Sequence, residues 1–318
     1  TRFKPSLVII DKKRDLSQFT IKTAQAAGRR GDVVRLGLDS EWKWNPLGHL
    51  GPHSGLADCR QAGFFLRCSM PSSHSDSFWK VNKDRLLAAT MHVLALAGEP
   101  VTFSSMLAFI WKLQPDEPPP QGQGQQPAPE TGPNAQFREA LYARARANLE
   151  GHGDVIGREA EFTSTHGYLE QEFLGQLPHK TRGNIITDAA GFLSKLEDVR
   201  CRTAFGVPGD HPRQFPGFEW LIKEGKVFVL DIQETDHAVA AQTMCSLVKL
   251  FYQAAVLRRP AYDPSYDDKD QLHRVLVSVW DEYQSYVSVS EEGSQGDDTY
   301  LETSRSFGAV DIAATQQL

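Results

Sequence analysis

Short apolar runs with few polar interruptions lie near both ends of the chain. Runs of this kind are typical of strands that are buried on both faces of a parallel sheet. They predict five strands, at 6–11 (SLVIID), 32–38 (DVVRLGL), 226–232 (KVFVLDI), 274–280 (RVLVSVW) and 310–315 (VDIAAT).

A second pattern, with apolar residues at helical spacing, fills the rest of the chain. It predicts helices over 16–27, 78–97, 136–149, 163–177, 185–196 and 238–258. Gly98 predicts the C-terminal end of the helix before it, and Thr102 can cap the next helix.

Strands that alternate with helices predict an α/β fold, with a parallel sheet flanked by helices. The middle of the chain has only the helical pattern, so we expect a mostly helical insertion. The predicted division is 1–55 and 181–318 for the two parts of the α/β domain and 56–180 for the insertion. Within the insertion, 114–134 is rich in Pro, Gln and Gly and is predicted to be a flexible loop.

Composition narrows the class of protein without naming a function. The chain has 318 residues, a mass of 35.4 kDa and a net charge of −6, so no overall basic signature of nucleic-acid binding is present. No apolar run approaches the roughly 18 residues that a membrane helix needs. The four cysteines do not have zinc-ligand spacing. The first residue is Thr1, so we expect a piece of a longer protein.

Polar residues follow the last two predicted strands. Asp281 and Glu282 end one apolar run, Arg305 precedes the next strand, and Gln316 follows that strand. Parallel strands bring such residues to the carboxyl edge of the sheet, where α/β proteins bind ligands. A nucleotide-driven motor needs two carboxylates there, one for Mg²⁺ and one to activate water, together with a polar sensor of the γ-phosphate. An Asp-Glu pair is also an ordinary exit from a strand into a loop.

Taken together, several segments resemble the nucleotide-binding domain of the coupling ATPases of conjugation and type IV secretion. These are the TraG/TraD kind, within the FtsK/HerA group of hexameric DNA motors. The segments are LVIIDKKRDL, GDVV with the later WNPL, the start of the insertion near Trp79, VLVSVWDEYQ, and SRSFGAVDIAATQQ. Asp11 and Lys13 fit the family's Asp-Pro-Lys-Gly pattern, whereas Lys12 and Arg14 depart from it.

The resemblance implies a RecA-like ATPase that uses ATP and Mg²⁺. Asp281 would bind Mg²⁺ through water, Glu282 would polarise the attacking water, and Gln316 would sense the γ-phosphate. Arg305 would act as an arginine finger on the neighbouring subunit. The implied partners are DNA, a homo-hexamer of the chain, and relaxosome or secretion-channel proteins. The family's N-terminal membrane segment would hold the full-length protein at the cytoplasmic face of the bacterial inner membrane, whereas the 318 residues alone would be soluble.

One family motif is missing. The Walker A pattern GxxxxGK[ST] holds the β- and γ-phosphates, and it does not occur in these residues. Lys180 and Thr181 lack the necessary glycines. We therefore expect a fragment that starts just after this loop, binds ATP weakly or not at all, and is inactive alone.

Two other interpretations stay open. The chain could be a non-hydrolysing binding module with the same fold, or a P-loop ATPase that moves protein. Lys80, Lys83 and Arg85 lie on one predicted helix and could contact DNA, although a solvated helix face has the same pattern.

Overall fold

A computed structural model of the chain describes residues 4–13, 15–70, 77–114, 132–151, 156–263, 266, 274–288 and 296–315. The strands are β1 (Ser6–Asp11), β2 (Val33–Leu36), β3 (Val227–Asp231), β4 (Leu276–Trp280) and β5 (Ala309–Ala313). The helices are α1 (Asp15–Ala26), α2 (Leu56–Cys68), α3 (Ser77–Leu96), α4 (Phe103–Trp111), α5 (Pro133–Gly151), α6 (Ile156–Gly167), α7 (His179–Ser194), α8 (Val199–Phe205), α9 (Phe218–Glu224), α10 (Glu234–Leu257), α11 (Arg259–Tyr262) and α12 (Asp297–Thr303). A π-helix, Tyr168–Gln176, continues directly from α6.

The five strands form one parallel sheet in the order β2-β3-β1-β4-β5. β1 and β3 are almost entirely buried, which explains their continuous apolar sequences. This sheet confirms the predicted α/β fold with a parallel sheet flanked by helices, and it agrees with a RecA-like architecture.

β1 lies at the point where the chain changes direction across the sheet. From β1 the chain continues through α1 to β2, on one side, whereas from β4 it continues to β5, on the other side. The connections after β1 and β4 therefore lead in opposite directions, and we call the region between them at the carboxyl edge the crevice. In open α/β sheets, ligands bind in a crevice of this kind.

The chain divides into two compact units. The sheet unit contains Thr1–Asn45 and Thr203–Leu318, and the helical unit contains Pro46–Arg202. The predicted insertion, 56–180, lies within the helical unit. Most of the predicted loop at 114–134 lies outside the described residues, and its last part is helical, since α5 begins at Pro133.

Local sequence signals account for several helix ends. α3 stops before Gly98, which has a φ of +71°, a conformation that glycine adopts without steric cost. The backbone N–H of Ser105 donates to Thr102 Oγ1 (3.1 Å), so Thr102 caps α4 as predicted. Among the described helices, none is long and apolar enough to cross a membrane.

β5 forms one edge of the sheet, and its outward-facing side chains are unusually apolar for an exposed strand. Val310 and Ile312 are 50% and 52% exposed. They are in register with Val277 and Val279 of β4, which are only half-buried. Within the described residues, this end of the sheet therefore has an unpaired edge beside an incompletely covered apolar surface.

Candidate active site at the carboxyl edge of the sheet

The crevice between the loops after β1 and β4 contains three carboxylates and two lysines: Asp11, Asp281, Glu282, Lys12 and Lys13. The backbone N–H of Asp281 donates to the carbonyl of Ile10 (3.2 Å), which extends the ladder between the two strands by one residue. The two loops therefore begin side by side, about 5 Å apart.

Asp281 is a partly buried carboxylate without a cation at hydrogen-bond distance among the described residues. Burial raises its pKa above the ordinary 3.8, and the neighbouring carboxylates of Glu282 and Asp11 act in the same direction. The positive charge of Lys13 opposes this shift only in part. A divalent cation would reverse the shift, because it favours the ionised form of the carboxylate.

Glu282 has an unusual backbone conformation. Among the described residues, it is the only one other than glycine with a positive φ, 53°. Local hydrogen bonds hold the turn, since Ser285 donates to the Glu282 carbonyl through its N–H (3.0 Å) and its Oγ (2.8 Å). Left-handed conformations cost such a residue about 1 kcal/mol or more and are common at functional sites.

The Glu282 side chain is held by two donors. Lys13 Nζ lies 2.7 Å from Oε1, and Gln284 Nε2 donates to Oε2 (2.6 Å). The bond from Lys13 and then the bond from Gln284 lower the pKa of Glu282 below its ordinary value. Glu282 is therefore ionised at neutral pH.

Asp11 has a structural role in this arrangement. Its carboxylate accepts hydrogen bonds from the backbone N–H groups of Lys13 (2.9 Å) and Ser17 (2.6 Å). The first bond shapes the loop, and the second gives a partner to an N–H group in the first turn of α1. The neighbouring Lys12 is nearly buried and donates to Ser285 Oγ (2.6 Å). Lys12 and Lys13 thus both bridge from the loop after β1 to the loop after β4.

A buried ion pair supports the far side of the turn. Lys249, in α10, is fully buried and donates to Asp297 Oδ2 (2.6 Å) and to the carbonyl of Tyr286 (2.6 Å). The hydroxyl of Tyr286 in turn donates to the carbonyl of Asp281 (2.8 Å). Two hydrogen bonds, one to the backbone and one from the side chain of Tyr286, therefore link α10 to the backbone of Asp281.

The structure does not bring all predicted site residues together. Asp281 and Glu282 are adjacent in the crevice, but Arg305 lies just before β5, at the amino edge of the sheet. Because β4 and β5 are parallel and each has five residues, the two edges are about 17 Å apart. Arg305 is exposed, and the part of the chain that the structure describes shows no ion pair between Arg305 and Glu302. Gln316 lies outside the described residues.

Sequence reasoning missed the supporting residues Lys249 and Tyr286. Lys249 interrupts the apolar face of the helix predicted over 238–258, and a lone lysine at such a position is a signal that a buried anion is nearby. Asp297 could not be recognised as its partner, because the two residues meet only in the folded chain.

The residues in the crevice fit Mg²⁺ better than they fit a triphosphate. Carboxylate oxygens are hard ligands of the kind Mg²⁺ prefers, and Asp281 has no competing cation among the described residues. A triphosphate needs a cradle of backbone N–H groups, and the glycine-rich pattern that builds one is absent from the 318 residues.

A comparison of the chain with protein-family models finds no match. A comparison with curated proteins also finds none.

Proposed function

We propose that the chain is part of a ring-forming motor that couples ATP hydrolysis to the transfer of DNA, as in conjugation or type IV secretion. The observation that carries the proposal is the position of Asp281 and Glu282. They lie at the carboxyl end of β4, beside the crevice where the chain changes direction across a parallel sheet.

Under this proposal, Asp281 and Glu282 have different roles in hydrolysis. Asp281 would hold Mg²⁺ through a water ligand. Mg²⁺ would supply charge neutralisation at the reacting phosphate. Glu282 would orient and deprotonate the attacking water, for which its ionised state is suitable. Gln316, three residues after the end of β5, would act as the sensor.

The proposal requires a phosphate-binding loop from outside these 318 residues. The edge strand β5 offers a place for the strand that would carry it, since its backbone edge is unpaired among the described strands. The exposed Val310 and Ile312 are the surface that an additional strand and helix would cover. In such a motor, a membrane-bound N-terminal segment would place the ring at the cytoplasmic face of the inner membrane.

Arg305 supports a ring rather than an isolated subunit. It lies at the opposite edge of the sheet from Glu282, so it cannot reach the crevice of its own chain. Because it is exposed, it can enter the crevice of a neighbouring copy, as an arginine finger does. We propose a homo-hexamer on the strength of the family resemblance.

A non-hydrolysing binding module is the second candidate, and the Lys13–Glu282 ion pair favours it. A glutamate engaged by a lysine at 2.7 Å is not free to activate water. If the pair persists in every state of the protein, the same crevice would bind ligands without hydrolysing them.

Turnover of ATP by the protein made from its complete coding sequence separates these candidates. We expect hydrolysis that DNA stimulates, and a loss of about 10²- to 10⁴-fold in Glu282→Gln. Glu302→Gln, at an exposed position on α12, is the matched control. Turnover that is equal in the two variants would contradict the role of Glu282, and turnover that responds to a protein substrate instead of DNA would indicate a protein-moving ATPase.

Calorimetric titration of the 318-residue chain with MgATP tests the requirement for an external phosphate loop. We expect weak binding or none. Micromolar binding would mean that the crevice holds the triphosphate with its own residues, and the proposed arrangement would be wrong.

A further inference from the structure

The helical unit contains a cavity of about 290 Å³ that has no part in the proposed hydrolysis. It lies among α2, α3 and the junction of α6 with the π-helix. Its lining combines small apolar residues with polar and charged ones: Leu56, Arg60, Val81, Asp84, Arg85, Ala88, Ala89, Ser164, Thr165 and Tyr168. Cavities of this size accept small organic molecules.

The charge around the cavity favours an anion. Asp84 is already neutralised by Arg67, whose Nε lies 2.7 Å from Asp84 Oδ1. Arg60 is exposed, and within the described part of the chain no acidic side chain pairs with it. An unpaired guanidinium beside a cavity is suited to a phosphate or carboxylate, because its planar fork matches their oxygens.

One wall of the cavity is a flat stacking surface. The guanidinium of Arg85 lies 4.1 Å from the ring centroid of the buried Tyr168, and an ion pair with Glu172 (2.7 Å) fixes its position. Arg85 is 45% exposed, so its other face remains accessible to a planar group. Arginine planes held in this way stack on nucleobases.

The polar groups at the cavity are held in defined positions. The Oγ1 of Thr165 forms a hydrogen bond with Nδ1 of the buried His92 (2.8 Å). Ser164, next to it, is exposed at the opening. Ala88 and Ala89 also line the cavity and are both buried, and we call them its apolar floor.

The π-helix gives independent support for a site here. It begins at Tyr168 and ends with a hydrogen bond from the Leu177 N–H to the Glu172 carbonyl (3.0 Å), the i→i+5 spacing of this conformation. π-helical segments are rare and frequently occur at functional sites. In this chain the segment supplies both Tyr168 and the glutamate that positions Arg85.

We propose that this cavity binds a nucleotide. The planar base would stack on Arg85 above the apolar floor, and the phosphate would pair with Arg60. The same chemistry is present in a free nucleoside monophosphate and in one unit of a single-stranded nucleic acid. Lys83, on the same helix, does not contribute, because it is buried and pairs with Asp188 (2.6 Å).

Binding measurements with the purified chain distinguish a free nucleotide from a single-stranded nucleic acid as the ligand. Calorimetry with AMP and CMP reports the free nucleotide, and fluorescence anisotropy with labelled oligo-dA and oligo-dT reports the strand. Both measurements are made in EDTA, and Asp281→Asn should bind like the wild type. A failure of the proposed hydrolysis would therefore leave this result intact.

Two variants test the cavity itself. Arg60→Ala removes the unpaired charge and should weaken binding about tenfold, the loss expected for one charge-assisted hydrogen bond. Ser164→Phe should block the opening without changing any charge. Lys195→Ala, an exposed position of the helical unit that does not line the cavity, is the control and should bind normally.

Saturable binding of either kind of ligand that both variants weaken would support the site. Binding of mononucleotides would assign the free nucleotide, and binding of oligonucleotides alone would assign the strand. The proposal is wrong if no ligand saturates the protein by about 1 mM, the affinity that corresponds to about −4 kcal/mol. It is also wrong if folded Arg60→Ala and Ser164→Phe proteins bind as tightly as the wild type.

Discussion

Lys13 Nζ lies 2.7 Å from Glu282 Oε1, and this ion pair joins the loops that follow the adjacent strands β1 and β4. The pair crosses the crevice in which we place the chemistry. The ion pair favours the ionised form of Glu282, and it also engages the carboxylate oxygen Oε1. Glu282 would become available to water when Lys13 leaves it and binds another partner.

Lys13→Met should raise the pKa of Glu282 toward its ordinary value of 4.5. In the folded chain the pKa of Glu282 is lower than in the unfolded chain, so the ion pair stabilises the fold above pH 4.5. This stabilisation is lost as the pH falls through the lowered pKa of Glu282. NMR titration of the glutamate side chains measures the shift. Lys22→Met, at an exposed position of α1, is the control and should leave Glu282 unchanged.

Asp281→Asn should stabilise the fold at neutral pH. The raised pKa of Asp281 means that the folded chain holds its proton more tightly than the unfolded chain, so ionisation above pH 3.8 lowers stability. Removal of the ionisable group removes this cost, whereas Mg²⁺-dependent turnover should fall. Denaturant unfolding measures the first effect. Asp210→Asn, at an exposed site, is the control and should change neither the stability nor the turnover. A destabilised Asp281→Asn protein would contradict the prediction.

Arg305→Ala should leave the free energy of unfolding within about 0.5 kcal/mol of wild type, since the side chain is exposed. Turnover in the assembled protein should fall by about 10³- to 10⁵-fold. Mixing Arg305→Ala with Glu282→Gln should restore part of the activity, because some interfaces then combine an intact arginine with an intact glutamate. Arg30→Ala, also exposed, is the control, and a mixture as inactive as its components would exclude action between subunits.

Asp297→Asn should destabilise the sheet unit by about 3 to 5 kcal/mol, because it leaves the charge of the buried Lys249 without its partner. The double variant Lys249→Met/Asp297→Asn should cost less than the sum of the two single variants. Glu219→Gln, which breaks the exposed pair with Arg258 (2.9 Å), is the control and should cost at most about 1 kcal/mol. Strictly additive losses would show that the two buried residues are not coupled.

His92 should make the helical unit sensitive to acid. Burial lowers the pKa of His92 from 6.5 to about 4. Between these two pH values, His92 binds a proton in the unfolded chain but not in the folded chain. Stability should therefore fall by up to about 3 kcal/mol as the pH drops through this range. Unfolding curves of His92→Gln should show a smaller loss. His179→Gln, at an exposed site, should match wild type.

The sequence predicted the elements of this fold better than their arrangement. The apolar run at Ser6–Asp11 is a strand with the predicted limits, and Gly98 and Thr102 mark the helix ends that their chemistry indicates. Those signals are local. The insertion of β3 between β1 and β2 depends on pairing between distant segments, and no local pattern specifies it.

The candidate site was predictable in part for the same reason. Asp281 and Glu282 are adjacent in sequence, and a strand signal precedes them. The ion pair of Glu282 with Lys13 and the support from Lys249 depend on contacts between separate elements. The π-helix at Tyr168 was predicted as ordinary helix, because a shift from i→i+4 to i→i+5 hydrogen bonds leaves no clear trace in apolar spacing.

The position of β3 has a consequence for the order of events during synthesis. β2 pairs with β3, and β1 pairs with β3 and β4, so β1 and β2 must wait for strands that are synthesised much later. The whole helical unit, Pro46–Arg202, is synthesised in between. The nascent chain therefore carries two apolar strands with open edges while another unit folds, and it is during that interval that protection against aggregation matters most.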